Sequence, residues 1–158
     1  TVRMPEFIAP PIGKKSNKIT IEAEFGDDAS GVLYAMGGSG GGLSCYMDKG
    51  YLCFEYNLMI LYRSLAKSEQ KITKGKHTIV VTTTLRQQKP GSPADIVLAV
   101  DGTEVARTSV KMTVPGLFNV SESFDVGVDL GSAVARDYFD RAPFRFDGTI
   151  STVKVGLQ

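Results

Sequence analysis

Lys18-Ile19-Thr20-Ile21-Glu22-Ala23-Glu24-Phe25 decides how the chain is read. Ile19, Ile21, Ala23 and Phe25 fall on one side, and Thr20, Glu22 and Glu24 on the other. A period of two over this length is a strand with one face buried. Gly26-Asp27-Asp28 ends it, since Gly and Asp supply turn geometry. The pattern recurs downstream. Gly31–Met36 reads as a second strand, the glycine run Gly37–Gly42 as a break, and Leu43–Met47 as the resumption. Lys49-Gly50 is a two-residue hairpin turn into Tyr51–Tyr56. Further strands are expected over 58–66, His77–Leu85, Asp95–Val100, Thr103–Val110 and Thr149–Val155. Asp101-Gly102 is the strongest short hairpin signal in the chain. In the last strand the apolar face switches after Ile150, the mark of a bulge. The best helical candidate, Ala133–Phe139, is short. Many short strands joined by Gly-rich turns predict an all-β fold, an antiparallel two-sheet β-sandwich or barrel.

The composition agrees. The chain has 158 residues, 42% of them hydrophobic and 22% charged, which suits one globular domain. A net charge of +1 gives no electrostatic case for nucleic acid or an anionic membrane as partner. No apolar run approaches the roughly 20 residues of a membrane span. Residues 1–17 hold Pro5, Pro10 and Pro11 and end in the polar Gly13–Asn17. They read as a connector lying along a domain of residues 18–158, and a connector in that position implies something upstream.

Several stretches, taken in order, carry a family likeness. They are Gly31–Gly38, Gly41–Tyr46, Gly50–Asn57, Gly75–Val80, Asp101–Val105, Phe124–Gly131 and Pro143–Ile150. The series resembles the C-terminal domain of large bacterial-type arylsulfatases. That resemblance implies a concanavalin-like jelly roll following a sulfatase catalytic domain, which it would stabilise, shield or oligomerise. The family's Cys/Ser-x-Pro-x-Arg motif is missing: Cys45 precedes Tyr46-Met47-Asp48, and Cys53 precedes Phe54-Glu55-Tyr56. The calcium-bound nucleophile site of the family is therefore not expected in this chain. The chain itself is expected to be non-catalytic and to need no cofactor. Its implied partners are the upstream catalytic domain or a second copy. The alternative is a free-standing carbohydrate-binding module of the same fold.

Candidate sites are few. His77 is the one histidine, and a strand-edge packing role is expected for it. The Gly37–Gly42 run is followed by a strand and carries no Gly-Lys-Ser/Thr, so it lacks the helix N-terminus that cradles phosphate. Asp125, Asp129, Asp137 and Asp140 are close in sequence but form no Asp-x-Asp-x-Asp loop, and solvated loop acids are expected. Glu22, Glu24 and Glu55 offer carboxylates for a glycosidase, yet no spacing selects a pair. With a two-residue turn at Lys49-Gly50, Cys45 lies opposite Phe54 and Cys53 opposite Tyr46. The thiols then point to opposite faces and stay free. Sugar platforms favour exposed Trp, which the chain lacks; Tyr34, Tyr46, Tyr51, Tyr56 and Tyr62 are expected to pack on the sheets. The long segment between Gly131 and Pro143 places Tyr138 and Phe139 between Arg136 and Arg141. Aromatics framed by arginines have the composition of an interface anchor. Arg136, Tyr138, Phe139 and Arg141 are therefore the expected partner contacts, against the alternative of a loop that plugs the sandwich edge.

Overall fold

The computed structural model describes residues 2–118 and 121–158. Eleven strands run in chain order: β1 (Val2–Pro5), β2 (Asn17–Phe25), β3 (Gly31–Gly38), β4 (Gly41–Asp48), β5 (Tyr51–Leu58), β6 (Tyr62–Lys67), β7 (Gly75–Leu85), β8 (Ala94–Val100), β9 (Thr103–Val110), β10 (Ser123–Val126) and β11 (Thr149–Leu157). They form two antiparallel sheets, one of six strands ordered β1-β10-β3-β4-β5-β6 and one of five ordered β11-β2-β7-β8-β9. The all-β sandwich is the expected fold.

The alternation in β2 works as read. Ile19, Ile21, Ala23 and Phe25 are buried between the sheets, where they meet Tyr34, Met36, Cys45 and Phe54 of the other layer. Burying an aliphatic or aromatic side chain stabilises by roughly 1.5–3 kcal/mol, so this single face anchors the five-stranded sheet. Both expected tight hairpins are present. Lys49 and Gly50 have φ of 50° and 88°, and Asp101 and Gly102 have 50° and 82°. Two successive positive values are the signature of the hairpin turn whose twist matches the strands. The β4–β5 register pairs Cys45 with Phe54 and Tyr46 with Cys53. Both cysteines are free, Cys45 in the inter-sheet core and Cys53 on the opposite face. Burial raises both thiols, Cys53 to about 12. The ladder of β11 breaks between Ile150 and Thr152, where the apolar face switches.

Four expectations are corrected. The segment read as a connector belongs to the sandwich: β1 pairs with β10, and Ile12 is buried in the main core. Tyr56 ties it down by donating its hydroxyl to the Gly13 carbonyl at 2.7 Å. The strand expected over 58–66 is split, because Leu58 closes β5 and the chain turns at 59–61. The helical candidate at Ala133–Phe139 is a 3-10 segment, Arg136–Arg141. The glycine run turns only at Ser39-Gly40, and strands continue through the rest. At Gly42 a Cβ would sit 2.4 Å from the Met36 carbonyl oxygen and 2.9 Å from the Val134 side chain, so glycine here lets the β3 backbone and Val134 approach closely.

The pairing sorts the loops into two ends. Connections 6–16, 39–40, 59–61 and 86–93, with the described residues of 111–122, gather at the first end, and 26–30, 49–50, 68–74 and 101–102 at the second. Residues 127–148 leave β10 at the second end and cross the outer face of the six-stranded sheet. They return to start β11.

Candidate functional site

Burial shows what that excursion does. β2 alternates between buried and exposed residues, whereas β4 and β5 are buried along nearly their whole length on both faces. The outer cover is a second apolar cluster in which Ala133, Val134, Tyr138 and Phe144 sit on Val32, Ala35, Tyr46 and Cys53. Tyr138 is fully buried. Its ring meets Tyr46 edge-on at 5.0 Å and stacks on Phe144 at 5.0 Å. Its hydroxyl bonds both Ser44 Oγ at 2.9 Å and Asp129 Oδ2 at 2.6 Å.

Asp125 and Asp129, expected as solvated loop acids, are instead buried. Each carboxylate secures one turn of the roof. Asp125 accepts from the Leu130 amide and Ser123, and Asp129 from the Val134 amide and Tyr138. Burial raises both acids above the usual carboxylate range, against the lowering effect of these hydrogen bonds. Asp137 and Asp140 are exposed, as expected. Among the described residues no group of His, Cys, Asp and Glu side chains is arranged to hold a metal ion.

The roof leaves one polar corner of this face open, where β4, β5 and β6 reach the second end. Asp48 and Tyr51 are paired across the turn. Arg141 donates to Asp48 at 2.8 Å and lies 4.4 Å from the centre of the Phe144 ring. Asp48 raises the Arg141 guanidinium further by hydrogen bonding. The Lys67 ammonium stands 4.7 Å from the Tyr51 ring centre, and Lys71 stands 6.0 Å away. Asp137 accepts from the Tyr46 hydroxyl at 2.9 Å and completes the rim. The corner thus presents cations on an aromatic ring with carboxylates beside them, chemistry that suits a polar ligand with an anionic group.

The expected contact residues divide. Tyr138 is interior, so it is no surface anchor. Phe139 is 62% exposed, and Arg136 is exposed beside it in sequence. Arg141 belongs to the polar corner. Two neighbouring aromatics on a 3-10 segment point about 120° apart, so one faces in and the other out. Tyr51 was read only as a packing tyrosine. The turn at Lys49-Gly50, which pairs it with Asp48, was the available signal.

His77 has a structural position. Nδ1 lies 2.6 Å from Asp101 Oδ2, Nε2 lies 2.8 Å from the Thr73 carbonyl, and the ring stacks on Phe25. Glu22 and Glu24 lie on the outer face of the five-stranded sheet. Glu55 lies on that of the other sheet, bonded to Arg63. The three carboxylates do not converge on one cleft. A cavity of about 630 Å³ opens between β1–β10 and β11, lined chiefly by Met4, Phe124, Val126, Phe146, Ile150 and Val153. It is the open seam of the main core.

This sandwich is similar to solved structures of laminin and sialidase domains. The laminin α2 chain, LG1-3 region, matches with a TM-score of 0.65 and 16% identity over 98% of this chain. The mouse laminin α1 chain, domains LG4-5, matches with 0.61 and 16% over 91%. A Ruminococcus gnavus IT-sialidase carbohydrate-binding module, CBM40, bound to α2,3 sialyllactose, matches with 0.63 and 12% over 92%. This chain spans 31% and 36% of the two laminin chains but 78% of the sialidase module. The fold class is thus a concanavalin/laminin-G-like β-sandwich. No protein-family model and no curated protein matches the chain, and these neighbours link it to no sulfatase.

Proposed function

We propose that the chain is a non-catalytic recognition module that binds acidic oligosaccharides at the polar corner of the roofed sheet. The carrying observation is the cation pair at Tyr51, Lys67 at 4.7 Å and Lys71 at 6.0 Å, with Arg141 held nearby on Asp48. A sugar carboxylate or sulfate would meet Lys67, which makes no salt bridge among the described residues, beside Lys71 held on Asp28 at 2.6 Å, and ring hydroxyls would meet Asp48 and Asp137. Hydrogen bonds to charged groups are the stronger kind and would set the preference for acidic over neutral sugars. The likeness to a sialidase module bound to sialyllactose supports the ligand class.

Calorimetric titration with sialyllactose, a sulfated disaccharide and lactose tests this. Binding of an acidic sugar, weakened at least fivefold by Lys67→Ala and by Tyr51→Ala, is expected. Absence of binding to both acidic sugars would overturn the reading, as would binding that neither variant weakens.

Attachment to a sulfatase catalytic domain, with calcium held there, is compatible with a module of this kind. It rests on the ordered sequence resemblance alone. Detection of a Cys/Ser-x-Pro-x-Arg motif in the same polypeptide would decide it.

A further inference from the structure

The exposed large apolar side chains are not scattered. All except Leu65 and Phe139 lie at the first end of the sandwich. Met59, Ile60 and Leu61 form the tip of the β5–β6 hairpin, and Leu61 is 79% exposed. Phe7 and Ile8 project from the 6–16 connection, and Met112 and Leu117 from 111–122. Contact through Phe118 links these loops: a Cβ at Gly41 would meet Phe118 and the Met59 amide, each at 3.5 Å, and one at Gly13 would meet Phe118 again. Single exposed apolar residues are ordinary, but a cluster on three neighbouring loops is not.

The hairpin tip also carries backbone strain. Met59 and Ile60 have φ of 51° and 67°. The left-handed region disfavours a β-branched residue in particular, and Asn or Gly is the usual solution. Large apolar side chains stand here against local preference, as happens where a segment serves function.

Charge indicates what covers the patch. Lys15, Lys89 and Lys111 are exposed on the same end, and Lys14 is half-buried there. None of the four makes a salt bridge among the described residues. The acids of these loops are turned inward: Glu6 is buried and accepts from the Phe118 amide, and Glu122 accepts from Ser132. Protein–protein interfaces are depleted in Lys. Apolar tips with a surrounding belt of unpaired lysines instead match the boundary of an anionic bilayer, where the tips enter the acyl region and the ammonium groups remain with the headgroups.

We propose that the first end of the sandwich is a peripheral membrane-docking surface, with Met59, Ile60 and Leu61 inserted into an anionic bilayer and Lys14, Lys15, Lys89 and Lys111 at the headgroups. It is independent of the glycan reading, since the polar corner lies at the opposite end. The wild-type chain has no Trp, so Leu61→Trp in the full chain is a single-fluorophore reporter, and Phe139→Trp on the roof is its control. With phosphatidylserine-rich vesicles at low salt, the Leu61→Trp emission should shift to the blue and be quenched by brominated lipid, while Phe139→Trp stays unchanged. Co-sedimentation of the wild-type chain with the same vesicles should fall at least tenfold in Leu61→Asp. It should fall severalfold in the double variant Lys14→Gln, Lys15→Gln, and also with added salt. Leu61→Asp places its charge on an exposed tip, and an unchanged circular dichroism spectrum would confirm that it folds. Failure of the wild-type chain to co-sediment would overturn the proposal. So would equal binding by Leu61→Asp. Self-association without lipid that Leu61→Asp abolishes, with no vesicle binding, would assign the patch to a second copy instead.

Discussion

At the second end of the sandwich, β4 turns into β5 on Lys49-Gly50 and β8 into β9 on Asp101-Gly102; at the first, β5 turns into β6 on Met59-Ile60-Leu61. All three turns need positive φ. In the first two a glycine takes one of the left-handed positions without steric cost. In the third, no glycine is present. The surroundings differ in the same sense. At the second end Lys71 pairs with Asp28 at 2.6 Å and Lys74 with Asp27 at 3.3 Å, and Asp101 hydrogen-bonds His77 at 2.6 Å, while Lys49, Lys67 and Lys76 make no salt bridge among the described residues. At the first end Arg86 pairs with Asp95 at 2.7 Å, and Lys14, Lys15, Lys89 and Lys111, without salt bridges among the described residues, stand among exposed apolar tips. One end turns on the residues that folding prefers, and the other departs from them in backbone and in exposed apolar surface together. A net charge of +1 averages over these ends, which is why whole-chain arithmetic gave no sign of a basic surface.

The largest effect that would test this contrast is Gly102→Val. The added Cβ meets nothing within 4 Å, so packing is not at issue. The cost comes from φ of 82°, a region hostile to a β-branched residue. A loss of about 1–3 kcal/mol is expected from denaturant unfolding. An unchanged midpoint would mean that the second-end turns are not selected for backbone geometry.

Ile60→Gly should act in the opposite direction. Relieving the left-handed strain gains about 1–2 kcal/mol, and the greater freedom of glycine in the unfolded chain returns roughly half. A net gain of up to about 1 kcal/mol is expected by the same measurement, together with weaker vesicle binding. A stabilised variant that binds vesicles as the wild type does would separate the strain from the docking role.

The fold was legible where local pattern and turn chemistry agree. β2, β7, β8, β9 and the two glycine hairpins follow from residues within each segment, as does the placement of Cys45 and Cys53 on opposite faces. What escaped depended on distant partners. β1 is short and holds Pro5, and it exists because Ser123–Val126 lies beside it. The 59–61 turn carries no Gly, Asn or Pro, so its apolar residues read as more strand. The burial of Asp125 and Asp129 follows from the roof folding back on the sheet, which no nearby spacing announces. Of the four residues expected at an interface, Arg141 reaches the polar corner. Tyr138 and Phe139 are adjacent and chemically alike, and only the path of the roof separates interior from exterior.

The smallest expected effect concerns acid. Asp101 accepts from the Thr78 amide at 2.8 Å and faces His77. These contacts, the amide first, hold its carboxyl below the usual value. A depressed folded-state pKa means that the charged form is favoured by folding. Its stabilisation is therefore present above the unfolded value and is lost as pH falls through the folded one. Asp101→Asn should lower the urea midpoint modestly at neutral pH, and the gap from wild type should narrow when the measurement is repeated in acid, at about pH 3. Asp101 is largely exposed, so solvent screening keeps the difference small. At the first end the Arg86 hydrogen bond, foremost, holds the Asp95 carboxyl down at about 2, so it stays largely charged at both pH values and the shift produced by Ile60→Gly should be the same at both. Urea midpoints for the three proteins at the two pH values make the comparison. An Ile60→Gly shift that vanishes in acid would show that the hairpin tip is coupled to a titrating group, and the division into a strained end and an end turned on glycine would fail there.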